Sequence, residues 1–259
     1  MQMEYLIICL VSFIGSGLTL FSGFGLGTLL TPVFALFFPI ELAISMTAIV
    51  HFLNNVFKLS LLGKHANKNV VLKFGIPSLL AAFVGAYLLS KLSGLPSITH
   101  YQLGEKNFEI SAIKLVIALI LIFFSLVEVF PSLLKLEFKN EHLIAGGLLS
   151  GFFGGLSGIQ GALRSAFLIK ANLSKEQYLA SGIVIACMVD VARLTVYNNK
   201  FIFVHSGINY SLLGASVLCA FGGAYLGNKF LKKVTIGAIQ KLVALFLLVF
   251  AVLLGVGII

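Results

Sequence analysis

"GGLSGIQGALRSAFLIK" occupies residues 154–170. It is apolar enough for a bilayer, yet it holds Gln160, Arg164 and the glycines Gly154, Gly155, Gly158 and Gly161. The apolar segment after the glycine-rich break, 159–171, would rise only about 20 Å as a helix, short of the roughly 30 Å hydrocarbon core. A stretch of the same kind, "SGFGLGTLLTPVFAL", stands at 22–36 and belongs to a second short apolar segment, 24–38. Short, glycine-interrupted segments in corresponding places of two chain halves predict half-helices or re-entrant hairpins.

The flanking sequence has the composition to match. The chain has 259 residues, 59% of them hydrophobic and 10% charged, with a mean hydropathy of +1.07. A soluble domain carries about 25% charged residues. The other apolar segments fall at 5–22, 42–62, 74–92, 112–130, 143–157, 174–197, 210–231 and 238–259. Several reach the ~20 residues of a bilayer span, and most lack the polar face that a soluble helix needs. The chain therefore reads as an all-α polytopic membrane protein. The first segment has an acidic flank, Glu4, and no clear small-residue cleavage site, so it is kept as a span rather than a signal peptide. Cys9, Cys187 and Cys219 lie inside apolar runs and imply no disulfide framework.

The halves correspond. "AFVGAYLLSK" at 82–91 matches "AFGGAYLGNK" at 220–229 at seven of ten positions. "NNVFKLSLL" at 54–62 aligns with "VDVARLTVY" at 189–197, which sets Lys58 opposite Arg193 and Asn55 opposite Asp190. Each half has five apolar segments in one order. A unit with an odd number of crossings is inverted relative to its twin, whether the first pair spans fully or is re-entrant. The division expected is a first transmembrane repeat over 1–130, a cytoplasmic linker over 131–142 and a second repeat over 143–259.

Loop charge gives the same arrangement. The 63–73 loop carries Lys64, Lys68 and Lys73 and belongs inside, whereas its counterpart 198–209 has only Lys200. The 93–111 loop balances Lys106 against Glu105 and Glu109 and belongs outside, whereas 229–241 has Lys229, Lys232, Lys233 and Lys241. Both chain ends then fall outside. The formal net charge of +9 is explained by these loops, so nucleic acid is not expected as a partner.

"GFGLGTLLTP" at 23–32 with "ELAISMTAIVHFLNN" at 41–55, and "GFFGGLSGIQGALRSAFLIKANLSKEQYLASGIVIACMVDVARLTVY" at 151–197, resemble the two repeats of the TauE/SafE sulfite-exporter-type family. The resemblance covers nearly the whole chain. It implies a multi-pass transporter of the cell (inner) membrane that moves small organosulfur and related anions. The second copy departs from the usual run of glycines and proline, reading Ile159-Gln160-Gly161 and then Arg164-Ser165.

The residues themselves point to an anion site. A short helix that starts near the midplane presents unpaired N–H groups and a positive dipole end, and such termini bind anions. Gly23, Gly25 and Gly27, followed by Thr28, and Gly158 and Gly161 in the second half would let a ligand approach the backbone; close helix packing is their other reading. Arg164 is a cation in an apolar segment, and its planar fork suits an oxyanion. Two other readings stand beside that one, snorkelling to an interface and an ion pair with Asp190. Gln160 and Ser165 would add neutral hydrogen bonds.

Thr47, His51, Asn54, Asn55 and Lys58 form a polar stripe on one helix, which should face the interior or a water path; His51, Asn54 and Asn55 are candidate substrate contacts. Asp190 and Arg193, three apart, are expected to pair, with Asp190 the candidate coupling carboxylate.

The expected mechanism is alternating access, one repeat rocking against the other, with a homodimer possible. An anion channel is the alternative. An intramembrane serine protease is a weaker one: "GLSG" at 155–158 matches that motif, but no histidine follows within an apolar segment, and His205 falls in a loop. No H-E-x-x-H spacing and no βαβ context around "GFGLG" occurs, so neither a metal nor a cofactor is expected.

Overall fold

The computed structural model describes residues 2–22, 25–129, 140–169, 171–198, 209–230 and 236–259. Gly23, positions 131–139 of the linker, Lys200, His205, Lys232 and Lys233 lie outside the described residues.

The described chain runs through α1 (Gln2–Ser22), α2 (Leu26–Ala35) and α3 (Ile40–Leu62). A short turn, α4 (Lys68–Val70), continues through a π-helical stretch (Val71–Gly75) into α5 (Ile76–Leu92). A hairpin of β1 (Thr99–Leu103) and β2 (Lys106–Ile110) leads to α6 (Ala112–Val129). The second half has α7 (Leu143–Ser157), α8 (Gly161–Leu168), α9 (Lys175–Tyr197), α10 (Tyr210–Phe230) and α11 (Ile236–Gly255). Among the described residues, five helical stretches, in α1, α3, α4–α5, α9 and α10, are long and apolar enough to cross a membrane. The protein is an all-α polytopic membrane protein. Its five-segment order recurs, with α1, α2, α3, α5 and α6 answered by α7, α8, α9, α10 and α11.

The two short segments are short helices. α2 has 10 residues and α8 has 8, about 15 and 12 Å of rise, so neither crosses the hydrocarbon core alone. Each ends for a local reason. Pro39 precedes α3 in an extended conformation (ψ 146°) and prevents α2 from running on. After α8, Asn172 turns left-handed at φ 51°, and Ser174 with Gln177 forms a capping box that starts α9.

The hairpin is an addition that hydropathy does not announce. Its two strands pair antiparallel, Tyr101 opposite Phe108, around a two-residue turn at Gly104-Glu105. Gly104 has φ 64°, as primed turns require.

The chain divides into two compact units, Met1–Tyr87 with Leu136–Val234, and Leu88–Lys135 with Thr235–Ile259. Each draws on both halves of the sequence. In the second unit α6 packs on α11, and Tyr101 donates to the Val256 carbonyl.

The first unit is held by glycine-lined contacts. On α7, a Cβ at Gly147, Gly151 or Gly155 would strike the backbone of Phe74, Ser78 or Ala82. This four-residue spacing of small residues lets two helices approach backbone to backbone. α10 lies on α1 in the same manner, Gly223 against Phe13 and Gly227 against Gly17. Gly85, the repeat mate of Gly223, meets Phe152 of α7. Gly223→Ala should therefore force α1 and α10 apart and destabilise the fold by about 1–3 kcal/mol. Its neighbour is the control: a Cβ at Gly222 would meet only the Phe13 ring, at 3.4 Å and 3.6 Å, so Gly222→Ala should leave the melting temperature nearly unchanged. Equal melting temperatures for the two variants would refute this account.

Candidate functional site

The polar stripe of α3 is turned inward. Thr47, His51, Asn54, Asn55 and Lys58 are all buried, at 0–5% exposure. α9 lies beside α3 and presents Asp190 and Arg193, both at 0%. Buried charges require partners, and most find them here. Asp190 Oδ1 accepts from Arg193 Nε at 2.9 Å and faces Nη2 at 2.8 Å. Asp190 Oδ2 lies 2.7 Å from His51 Nδ1 and accepts from Asn55 Nδ2 at 3.4 Å. The Asp190–Arg193 pair is thus present, and His51 joins it from 139 residues away in sequence.

The glycine-rich breaks meet in the same unit. A Cβ on Gly27 would lie 3.2 Å from the Gly158 carbonyl and 3.6 Å from Thr47. Gly158 ends α7 in the left-handed region, φ 79°, and a Cβ there would also strike Arg193 Nη1. Only glycine meets both conditions without strain. Gly25 and Gln160 stand at the N-caps of α2 and α8, and neither helix receives a side-chain cap, so their first N–H groups keep their partial positive charge.

Beside the first of these breaks lies a cavity of about 470 Å³, counting its open mouth. Gly25, His51, Asn55 and Lys58 line it, and so do Arg164, Tyr178 and Gly182. Arg164 reaches from α8 across α9, its Nε 3.4 Å from where a Gly182 Cβ would stand. Its Nη1 is shielded from solvent and has no hydrogen-bond partner among the described residues. Asp190 does not pair with it, because both Asp190 oxygens are occupied. Lys58 Nζ donates to the Ser16 carbonyl at 3.3 Å. The Asn54 amide, oriented to satisfy its neighbours, accepts from Lys58 Nζ at 3.2 Å and donates to the Ala220 carbonyl at 3.2 Å. Both Lys58 acceptors are neutral.

Among the residues singled out from the sequence, Gly25, His51, Asn55 and Arg164 line this cavity. Gly27, Thr28, Asn54, Gly158, Gln160, Gly161 and Ser165 do not line it. Gln160 is 1% exposed, and both its amide atoms lack partners among the described residues. Lys58, Thr19, Tyr178 and Gly182 are lining residues that the sequence did not single out as contacts. Lys58 had a signal, since it continues the α3 stripe one turn beyond Asn54. Tyr178 and Gly182 had none, because nothing local says that Arg164 crosses α9 there.

Ser157, the serine of "GLSG", donates to the Phe153 carbonyl at 2.8 Å and accepts from the Ile159 N–H at 3.3 Å. Both partners are backbone, and no described base reaches it. No cluster of three or more metal-ligating side chains occurs among the described residues.

A family model described as "Sulfite exporter TauE/SafE" matches residues 8–254. No curated protein matches the chain.

Proposed function

Because the chain belongs to the sulfite exporter TauE/SafE family, it is a multi-pass cell-membrane transporter of the sulfite and organosulfur anion type, and we propose that its cargo is a small oxyanion bound at the Arg164 cavity. The observation that carries this reading is the unpartnered, shielded Nη1 of Arg164 at a cavity that also holds His51, Asn55 and Lys58. An ion in a membrane protein that lacks a counter-charge is costly, and such residues mark ligand sites or pathways. A guanidinium offers an oxyanion two parallel N–H bonds. Asn55 supplies a neutral donor beside it, and the uncapped start of α2, whose Gly25 lines the cavity, adds positive potential.

The transport cycle in this reading is alternating access. The inverted repeat supports it, since two halves of opposite orientation can present one site to either side in turn. Purified protein in liposomes tests it. Uptake of labelled sulfite or thiosulfate should saturate, and unlabelled anion inside should accelerate entry of label. Non-saturating flux without counterflow would identify a channel instead. Ser157→Ala should retain transport, because Ser157 bonds only to backbone of its own region; loss of transport with the fold intact would reopen the serine chemistry.

A further inference from the structure

We infer that the cavity selects a divalent anion, one negative charge answering Arg164 and the other Lys58. This rests on reading the cavity as the anion site, and it goes further by fixing the charge of the occupant.

The argument begins with the aligned repeats. Lys58 and Arg193 occupy equivalent positions, and the residue three places before each is Asn55 in one half and Asp190 in the other. On a helix that spacing puts the two side chains on one face. In α9 the carboxylate is used at once: Asp190 binds Arg193 at 2.8 Å and cancels its charge. In α3 the same place holds an amide, which cannot cancel Lys58. Lys58 is 4% exposed and meets only the Ser16 carbonyl and the Asn54 amide oxygen. The second cation has no twin. The place of Arg164 in the first half falls near Leu30, and Arg164 makes no ion pair with a described residue.

The charge count at the cavity follows. Lys58 and Arg164 both line it, and no Asp or Glu does. The nearby carboxylate, Asp190, is spent on Arg193 and His51. The walls thus carry two cationic side chains, Lys58 and Arg164, that no described carboxylate pairs with. Two like charges lining one cavity repel, and the buried Lys58 also lacks its hydration. A monovalent anion would leave one of them unanswered; a small dianion answers both. The arms also differ in kind: the Arg164 fork orients a pair of oxygens, whereas the Lys58 ammonium acts as a point charge. A sulfur oxyanion with two charges shared over its oxygens meets both, whereas a monovalent alkylsulfonate or a zwitterionic aminosulfonate meets one.

Binding of defined anions to the purified wild-type protein tests this, read by thermal shift and calorimetry at constant ionic strength. Sulfate and thiosulfate are the dianions, methanesulfonate the monoanion and taurine the zwitterion. The dianions should bind at least about tenfold tighter than methanesulfonate, a difference of 1.4 kcal/mol. Methanesulfonate or taurine binding as tightly as the dianions would overturn the inference. Asn55→Asp places a carboxylate before Lys58 as Asp190 stands before Arg193, and it should erase the dianion preference. If Asn55→Asp does not fold, Lys58→Met makes the same prediction by removing one positive charge. A preference unchanged in whichever of these variants folds would also overturn the inference. Failure of the underlying site reading looks different: no anion binds, or binding is the same in Arg164→Ala as in the wild type.

Discussion

Arg164→Ala is expected to abolish anion binding and uptake while leaving the protein folded. The two halves of that result have separate causes. Arg164 Nη1 has no hydrogen-bond partner among the described residues, and the side chain makes no ion pair with one, so its removal orphans no other charge. It removes an uncompensated cation from a shielded place, which is neutral or favourable for folding. Gly182, over which the side chain lies, gains space but loses no close packing. The melting temperature without ligand should stay level or rise. Binding is another matter: hydrogen bonds to charged groups contribute about 1.5–3 kcal/mol each. Losing a two-pronged contact should weaken binding by two orders of magnitude or more, about 3 kcal/mol. Unchanged binding and uptake would place the substrate elsewhere. A large fall in melting temperature would show that Arg164 is a structural residue.

Arg193 should behave in the opposite way. Asp190→Asn or Arg193→Met leaves one member of a fully buried ion pair without its partner. Such a break costs about 3–5 kcal/mol, a fall in melting temperature on the order of 10 °C for a chain of this size. Asp190→Asn should also release His51, whose Nδ1 lies 2.7 Å from the carboxylate. The double variant Asp190→Asn with Arg193→Met removes both charges, so it should recover much of the lost stability. A double variant as unstable as the sum of the single ones would mean that the two residues act independently. The contrast between two arginines on neighbouring helices is the sharper test. One is expected to matter for binding and not for folding, the other for folding first.

Much of the fold was legible in the sequence because its signals are local. Apolar length marks a span, and the 174–197 segment coincides with α9. Glycine breaks and low apolar length marked α2 and α8 as short. The repeated "AF-GAYL" motif marked α5 and α10, and its glycines Gly85 and Gly223 prove to be points of backbone contact. The hairpin at 99–110 was not legible, because an exposed polar two-stranded ribbon leaves little hydropathy signal in a membrane protein. The candidate site was legible in part. The α3 stripe showed which face is polar, and a charge in an apolar segment singled out Arg164. The three readings of Arg164 could not be separated by sequence, since each needs only the residue type and its depth.

By itself, the sequence determined the class, the order of the apolar segments, the likeness of the two halves and the residues able to carry charge inside the bilayer. These depend on composition and spacing along one chain. Tertiary structure decided which charge meets which. His51 reaches Asp190 across 139 residues and Lys58 reaches Ser16 across 42, while Arg164 is left facing a cavity. Those outcomes depend on how closely α3, α8 and α9 pack and in which rotation. Glycine-sized gaps and the crossing of helices set that, and no single segment encodes it. The asymmetry of Asn55 against Asp190 was visible in the alignment throughout. Only the packed structure shows that it leaves two cations at one cavity.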